Sequence, residues 1–144
     1  MNLPVLSWFQ WLVIVAALGL VGVLAYVNLI GNPRVVRELA AHPQGERAGV
    51  VMLLRLPGGR VLPVNYRREG NLVFVGADGP WWRALGRGSA PVTVTIRGET
   101  LSGRARVVFD DPDYKREVFG RLRPDVPRWL PAWLDAHLVV IELD

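Results

Sequence analysis

The chain has 144 residues, a formal net charge of +4 and no cysteine. The missing cysteine excludes disulfide staples, thiolate catalysis and Cys-based metal sites, so any folded domain is held by packing. The length leaves room for one core of roughly 100 residues beside an N-terminal apolar segment, and none for a second domain.

That apolar segment comes first. No Lys, Arg, Asp, Glu or His precedes Arg34, and the run from Trp8 to Ile30 is almost wholly apolar. A bilayer core needs roughly 20 such residues at about 1.5 Å each. A cleaved secretory signal would carry a basic leading region and a shorter apolar stretch of about 7 to 15 residues. The segment 1–32 therefore reads as an uncleaved transmembrane anchor; a secretory signal and a buried core helix are the alternatives. Trp8, Trp11 and Tyr26 stand near the ends of the run, where amphipathic rings favour the headgroup layer. Arg34, Arg37 and Arg47 follow the span, so the positive-inside rule predicts a single-pass protein of the cell membrane with its C-terminal domain cytoplasmic.

A short helix and linker are predicted over 33–46, with Asn32-Pro33 capping a helix from Arg34 to about Ala41 and His42-Pro43-Gln44-Gly45 breaking it. From there the pattern changes to short apolar or alternating runs separated by glycine turns, and a β domain is predicted over 47–144. The expected strands are Val50 to Leu56, Arg60 to Arg67, Leu72 to Gly76, Val92 to Arg97, Leu101 to Phe109 and Leu138 to Leu143. Pro57-Gly58-Gly59, Glu69-Gly70-Asn71 and Gly98-Glu99 are the hairpin turns, which makes the neighbours antiparallel. In the fifth strand Leu101, Ala105, Val107 and Phe109 share the buried face, while Ser102, Arg104 and Arg106 share the other, on which Arg104 and Arg106 meet water or an anion.

Helical insertions are predicted at Pro80 to Gly86 and from Asp111-Pro112 to near Arg123-Pro124, the second with aspartate as its cap. Trp129, Leu130, Trp133 and Leu134 have the spacing of a further short amphipathic helix within 127–135.

Catalytic sets are thin. There is no metal-ligand cluster, no glycine-flanked serine nucleophile and no phosphate loop ending in Gly-Lys-Ser/Thr. His42 and His137 stand far apart, and each reads as structural rather than as an acid or base. Nucleic acid is not an expected partner, because no binding motif accompanies the arginines. The region from Arg60 to Arg87 stands out. It gathers Asn65, Gly76-Ala77-Asp78-Gly79, Trp81-Trp82-Arg83 and Arg87-Gly88-Ser89 around a strand end and a helix start, a setting that suits an anion or a flat ring. The bland alternative is that the glycines make turns and the tryptophans fill core.

Several motifs in order carry a resemblance. They are Gly58-Gly59-Arg60-Val61-Leu62-Pro63, then Gly70-Asn71-Leu72-Val73-Phe74-Val75-Gly76-Ala77-Asp78-Gly79, and Pro80-Trp81-Trp82-Arg83-Ala84-Leu85. The strand pair Val92 to Val108, Asp111-Pro112, Trp133-Leu134-Asp135 and Val139-Val140-Ile141-Glu142 follow. From about Arg47 onward the chain resembles the deazaflavin-dependent nitroreductase and quinone reductase family, within the pyridoxamine phosphate oxidase superfamily. The resemblance implies a mainly β fold with short helices: a six-stranded antiparallel split β-barrel, here preceded by one transmembrane helix. It also implies a coenzyme, either a deazaflavin or FMN, that passes hydride to a quinone or nitro-compound.

Carried over residue by residue, the implied cofactor-binding positions are Gly59, Arg60, Ala77, Asp78, Gly79, Trp82 and Arg83, and the implied assembly is a homodimer. The chain departs from the family in its short first turn and in Asp78, where a polar or basic residue is commoner. Two readings from other classes stand beside this one: a non-catalytic membrane-tethered barrel that binds a protein partner or lipid headgroups, and an oligonucleotide-binding-type barrel.

Overall fold

The computed structural model describes residues 7–26, 32–127, 129 and 136–144. A 19-residue helix, α1 (Trp8–Tyr26), has every residue exposed, and its length and apolar composition suffice to cross a membrane. Helix α2 (Asn32–Ala41) follows, then a single 3-10 turn at Glu46–Gly49.

Six strands follow, within one residue or two of the expected bounds: β1 (Val51–Arg55), β2 (Val61–Glu69), β3 (Leu72–Ala77), β4 (Ala90–Ile96), β5 (Glu99–Val108) and β6 (His137–Leu143). All neighbours are antiparallel, and the order β1-β2-β3-β6-β5-β4 closes back on β1 to make a barrel. Closure leaves no free sheet edge, which removes the hazard of exposed strand hydrogen-bonding groups. Between β3 and β4 lies a 3-10 turn, Pro80–Leu85, and between β5 and β6 lies helix α3 (Pro112–Leu122).

Alternation along the strands sends one set of side chains inward. Met52, Leu54, Val64, Val73, Val75, Val94, Ala105, Val107, Val139 and Ile141 belong to a single buried cluster that fills the barrel. A second cluster lies outside the wall, where Val118 of α3 packs on Phe74, Val108, Leu138 and Val140. This explains why β6 reads as a continuous apolar run rather than an alternating one, since both of its faces are covered. The start of α3 is as expected: the Asp111 carboxylate accepts the Tyr114 amide hydrogen at 3.0 Å and Pro112 occupies the first turn.

Three local expectations are corrected. The fourth turn is Arg97-Gly98 rather than Gly98-Glu99, with φ of 50° and 82°, the pair of positive values that a two-residue hairpin with the right twist requires. Phe109 lies beyond β5 and is 45% exposed, so it does not share the buried face of Leu101, Ala105 and Val107. The insertion at Pro80 is six residues of 3-10 helix, too short to present the aligned backbone dipoles expected of a helix start. The helix expected within 127–135 falls outside the described residues, apart from an exposed Trp129.

Candidate functional site

The strand register decides what meets at one end of the barrel. Ala77, the last residue of β3, stands opposite His137, the first of β6. Val108 at the end of β5 stands opposite Leu138, so the chain leaving β5 carries Phe109 to the same corner. Past Ala77 the chain runs through Asp78-Gly79 into the Pro80–Leu85 turn, which lays Trp82 over His137.

The result is an aromatic triad. The Trp82 and His137 rings stack with centroids 4.1 Å apart and planes at 26°. Phe109 stands edge-on to both, at 5.8 Å from Trp82 and 6.3 Å from His137. The Arg83 guanidinium lies 5.6 Å from the Trp82 ring centre, within cation–π range. Trp82 is half-buried against the barrel core and leaves part of its surface to solvent.

Burial, reinforced by the positive charges of Lys115 and Arg83, pushes the His137 imidazole below its ordinary value of 6.5. A folded-state value below the unfolded one means that the unfolded chain binds more protons in the interval between them. The contribution of His137 to stability is therefore complete above about pH 6.5 and is lost as pH falls from there through the folded value. We expect the imidazole proton resonances of His137 to titrate with a midpoint below 6.5, and His137→Gln to flatten the decline in urea midpoint between neutral and mildly acidic pH. A His137 midpoint at or above 6.5 would contradict the neutral, ring-stacked imidazole.

The residues singled out by sequence do not all converge. Gly79, Trp82 and Arg83 meet at the aromatic corner, and a β-carbon at Gly79 would touch only the Trp81 ring, at an ordinary 3.7 Å. Ala77 is 2% exposed and its methyl belongs to the barrel core, which leaves only its backbone for a ligand. Asp78 is engaged by Arg123, whose two terminal nitrogens donate to the two carboxylate oxygens at 2.8 and 2.6 Å. That charge is balanced within the chain, so a carboxylate that by itself would repel a phosphate is already paired.

Gly76 is tight against side chains of this chain. A β-carbon there would come within 2.6 Å of the Arg123 guanidinium and 3.0 Å of the Phe119 ring, so it is α3, rather than a ligand, that approaches this backbone. Gly59 and Arg60 lie in the β1–β2 hairpin. Gly58 and Gly59 have φ of 92° and 95°, and no neighbour lies within 4 Å of a β-carbon built on either. The Arg60 side chain lines a groove of about 410 Å³ with Pro33, Val36 and Arg37 of α2, rather than the aromatic corner.

Sequence reasoning missed His137, Phe109 and Lys115 as members of this corner. The signal was a register relation. Once β3 and β6 are neighbours, the residue before the Leu138–Leu143 run falls opposite Ala77, but 59 intervening positions hide that pairing. Among the described residues no cluster of His, Cys, Asp or Glu could hold a metal ion.

No protein-family profile matches the sequence, and no curated protein matches it significantly. Among solved structures the chain is similar to a protein of Listeria innocua assigned as a pyridoxamine 5'-phosphate oxidase, at 14% identity and a TM-score of 0.53, over 78% of this chain and 92% of that one. It also matches a Jannaschia protein assigned as general stress protein 26, at 16% identity and a TM-score of 0.47, over 68% of this chain and 69% of that one, a likeness too distant to bear on the fold. The likeness to the Listeria innocua structure is one of fold: a mainly β chain whose six antiparallel strands close into a barrel.

Proposed function

We propose that the protein is a membrane-anchored oxidoreductase that holds a deazaflavin or FMN coenzyme against the Trp82–His137–Phe109 corner and reduces a quinone or nitro-compound there. The observation that carries this reading is the stacked Trp82–His137 pair with Arg83 beside it, at the rim of a barrel whose interior is already filled. A packed interior leaves the outer rim for any planar ligand, and the triad is the aromatic surface at that rim. The residues fit such a group. The rings match a flat heterocycle, the neutral imidazole adds no charge behind it, and Asp78 is neutralised by Arg123.

When bound, such a coenzyme supplies hydride transfer. The chain supplies position and electrostatics. Trp82 offers a ring face, Arg83 and Lys115 favour negative charge developing nearby, and the open Gly58-Gly59 turn offers backbone amides to a phosphate-bearing tail. Phe109 is exposed on the far side of the corner, where a second copy of the chain would close the site in a homodimer. An α1 anchor inserted with the barrel on the cytoplasmic side would keep the corner close to a lipid-soluble quinone.

A second reading, a non-catalytic tethered barrel, draws on the same packed interior and on Arg34, Arg37 and Arg60, which have no carboxylate partner among the described residues. Titration of the full chain in detergent with each coenzyme separately, following tryptophan fluorescence and ligand absorbance, separates the two. Saturation at micromolar concentration by one coenzyme is the expected result. A folded chain that binds neither abandons the redox reading in favour of the tethered module.

A further inference from the structure

The strand directions place the features of this domain at two ends. The β1–β2 hairpin, the exit of β3, the Pro80–Leu85 turn, Phe109 and the first residue of β6 all lie at one end, and the β2–β3 and β4–β5 turns lie at the other. Helix α2 runs between these ends along β2. Its first turn, Asn32 and Pro33, lines the groove beside residues 60–63 at the foot of the hairpin. The chain just past its C-terminus meets the opposite end, where the Gln44 side-chain amide donates to the Arg97 carbonyl at 2.7 Å.

The polypeptide coming from α1 therefore enters at the end that carries the aromatic corner. Only residues 27–31 separate Tyr26 from Asn32, a reach of at most about 20 Å.

On the side of that end formed by the start of α2 and the β1–β2 hairpin the charged residues are all arginines, while Asp110, Asp111 and Asp113 are exposed at the same end on the far side, where the chain leaves β5. On α2, Leu39 is buried and Val35 and Val36 are half-buried, which leaves Arg34 and Arg37 on the outward side. The one acidic residue of the helix, Glu38, is taken by Arg47 at 2.9 Å. Arg60 has no ion-pair or hydrogen-bond partner for its guanidinium among the described residues, and Val61 beside it is 38% exposed. No carboxylate lines the groove between them. Exposed guanidinium groups flanking an exposed valine, a few residues from an apolar span, match the phosphate-rich boundary of an anionic bilayer.

We infer that the hairpin end of the barrel docks on anionic phospholipid headgroups through Arg34, Arg37 and Arg60, which turns the Trp82–His137 corner toward the lipid surface. The inference rests on α1 being a membrane anchor and not on any coenzyme being bound. A docked barrel presents its corner at the depth where an amphiphilic quinone headgroup resides, whereas a barrel free on its tether samples all orientations.

The absence of cysteine makes the test direct. The full chain is reconstituted in phosphatidylcholine vesicles with and without phosphatidylglycerol, carrying a fluorophore at Val61→Cys or, as the control at the opposite end, at Thr100→Cys, with a nitroxide on a fraction of the lipid headgroups. Quenching at position 61 but not at 100 is expected, stronger with phosphatidylglycerol. The pair Arg34→Gln with Arg37→Gln, which leaves the proposed coenzyme positions untouched, should weaken docking about 25-fold, at about five-fold per guanidinium near the surface.

Equal quenching at the two positions, or quenching at 61 that ignores both phosphatidylglycerol and the arginine substitutions, overturns the proposal. A chain that alkaline carbonate strips from the vesicles overturns the anchor and the docking together. A chain that stays inserted and docks but binds no coenzyme overturns only the redox reading.

Discussion

Trp82→Ala is expected to weaken coenzyme binding about 10- to 100-fold while leaving a folded barrel. Removing one stacking wall beneath a flat heterocycle costs about 1–3 kcal/mol of binding. Full burial of a tryptophan would make its loss cost about 3–5 kcal/mol of stability, but Trp82 is only half-buried, so about 2 kcal/mol is the expected loss. A closed six-stranded barrel can tolerate that loss, since all but Leu56 and Leu85 of the buried residues that fill it come from its strands. Trp82→Phe should restore most of the binding, because a phenyl ring still offers an aromatic face.

A second readout ties the substitution to the corner. With Trp82 gone, His137 loses its stacked cover and part of the burial that lowers its pKa, so its titration midpoint should move back toward 6.5. Urea unfolding, coenzyme titration and the histidine resonances together separate the outcomes. An unfolded Trp82→Ala chain would mean that the tryptophan serves the core. A folded chain with a shifted His137 and unchanged binding would mean that the coenzyme lies elsewhere.

Gly103→Ala should be the most damaging small substitution in the barrel. Gly103 sits in the middle of β5, paired with Val92 on one side and Leu143 on the other. A β-carbon there would stand 2.5 Å from the Glu142 carbonyl oxygen and 3.2 Å from the Leu143 Cα, both backbone atoms of β6. No flexible side chain can give way, so the β5–β6 ladder must open or the strand must bend. Overpacking costs about 1–3 kcal/mol where side chains relax; with β6 backbone as the clashing partner, about 3 kcal/mol or more is expected. Chemical denaturation of Gly103→Ala against Gly120→Ala provides the comparison, because Gly120 on α3 has no neighbour within 4 Å of an added β-carbon. Equal midpoints for the two variants would refute the close approach.

Both expectations arise where the sequence was least informative. Gly103 is not marked out by any motif; its importance comes from Glu142 and Leu143, 39 and 40 positions later. Asp78 reads as a departure from the family, and its charge is offset only because Arg123, just past α3, reaches it across 45 positions. His137 reads as a solitary histidine, and its pKa is lowered by burial under a stack with Trp82 and by Lys115 and Arg83, none of them its neighbours in sequence. Phe109 reads as the last inward residue of its strand, yet the strand ends one residue earlier and frees the ring for the corner.

What the sequence determined by itself is everything set by short-range pattern. The apolar run needs no tertiary partner to be a helix long enough for a bilayer, and α1 is exposed along its whole length. Period-two alternation and glycine at the turns specify six strands and antiparallel hairpins, because side-chain direction and turn handedness are local properties. Asp111-Pro112 specifies the start of α3 through one local hydrogen bond.

Only the tertiary structure decided that β6 slots between β3 and β5, and the corner depends on that one choice. Non-local pairing is selected by the burial of whole faces, a sum over many residues that no single motif encodes. Ala77 therefore meets His137, Trp82 lies over it, and the end of the barrel where the chain arrives from α1 is also the end that carries the candidate site.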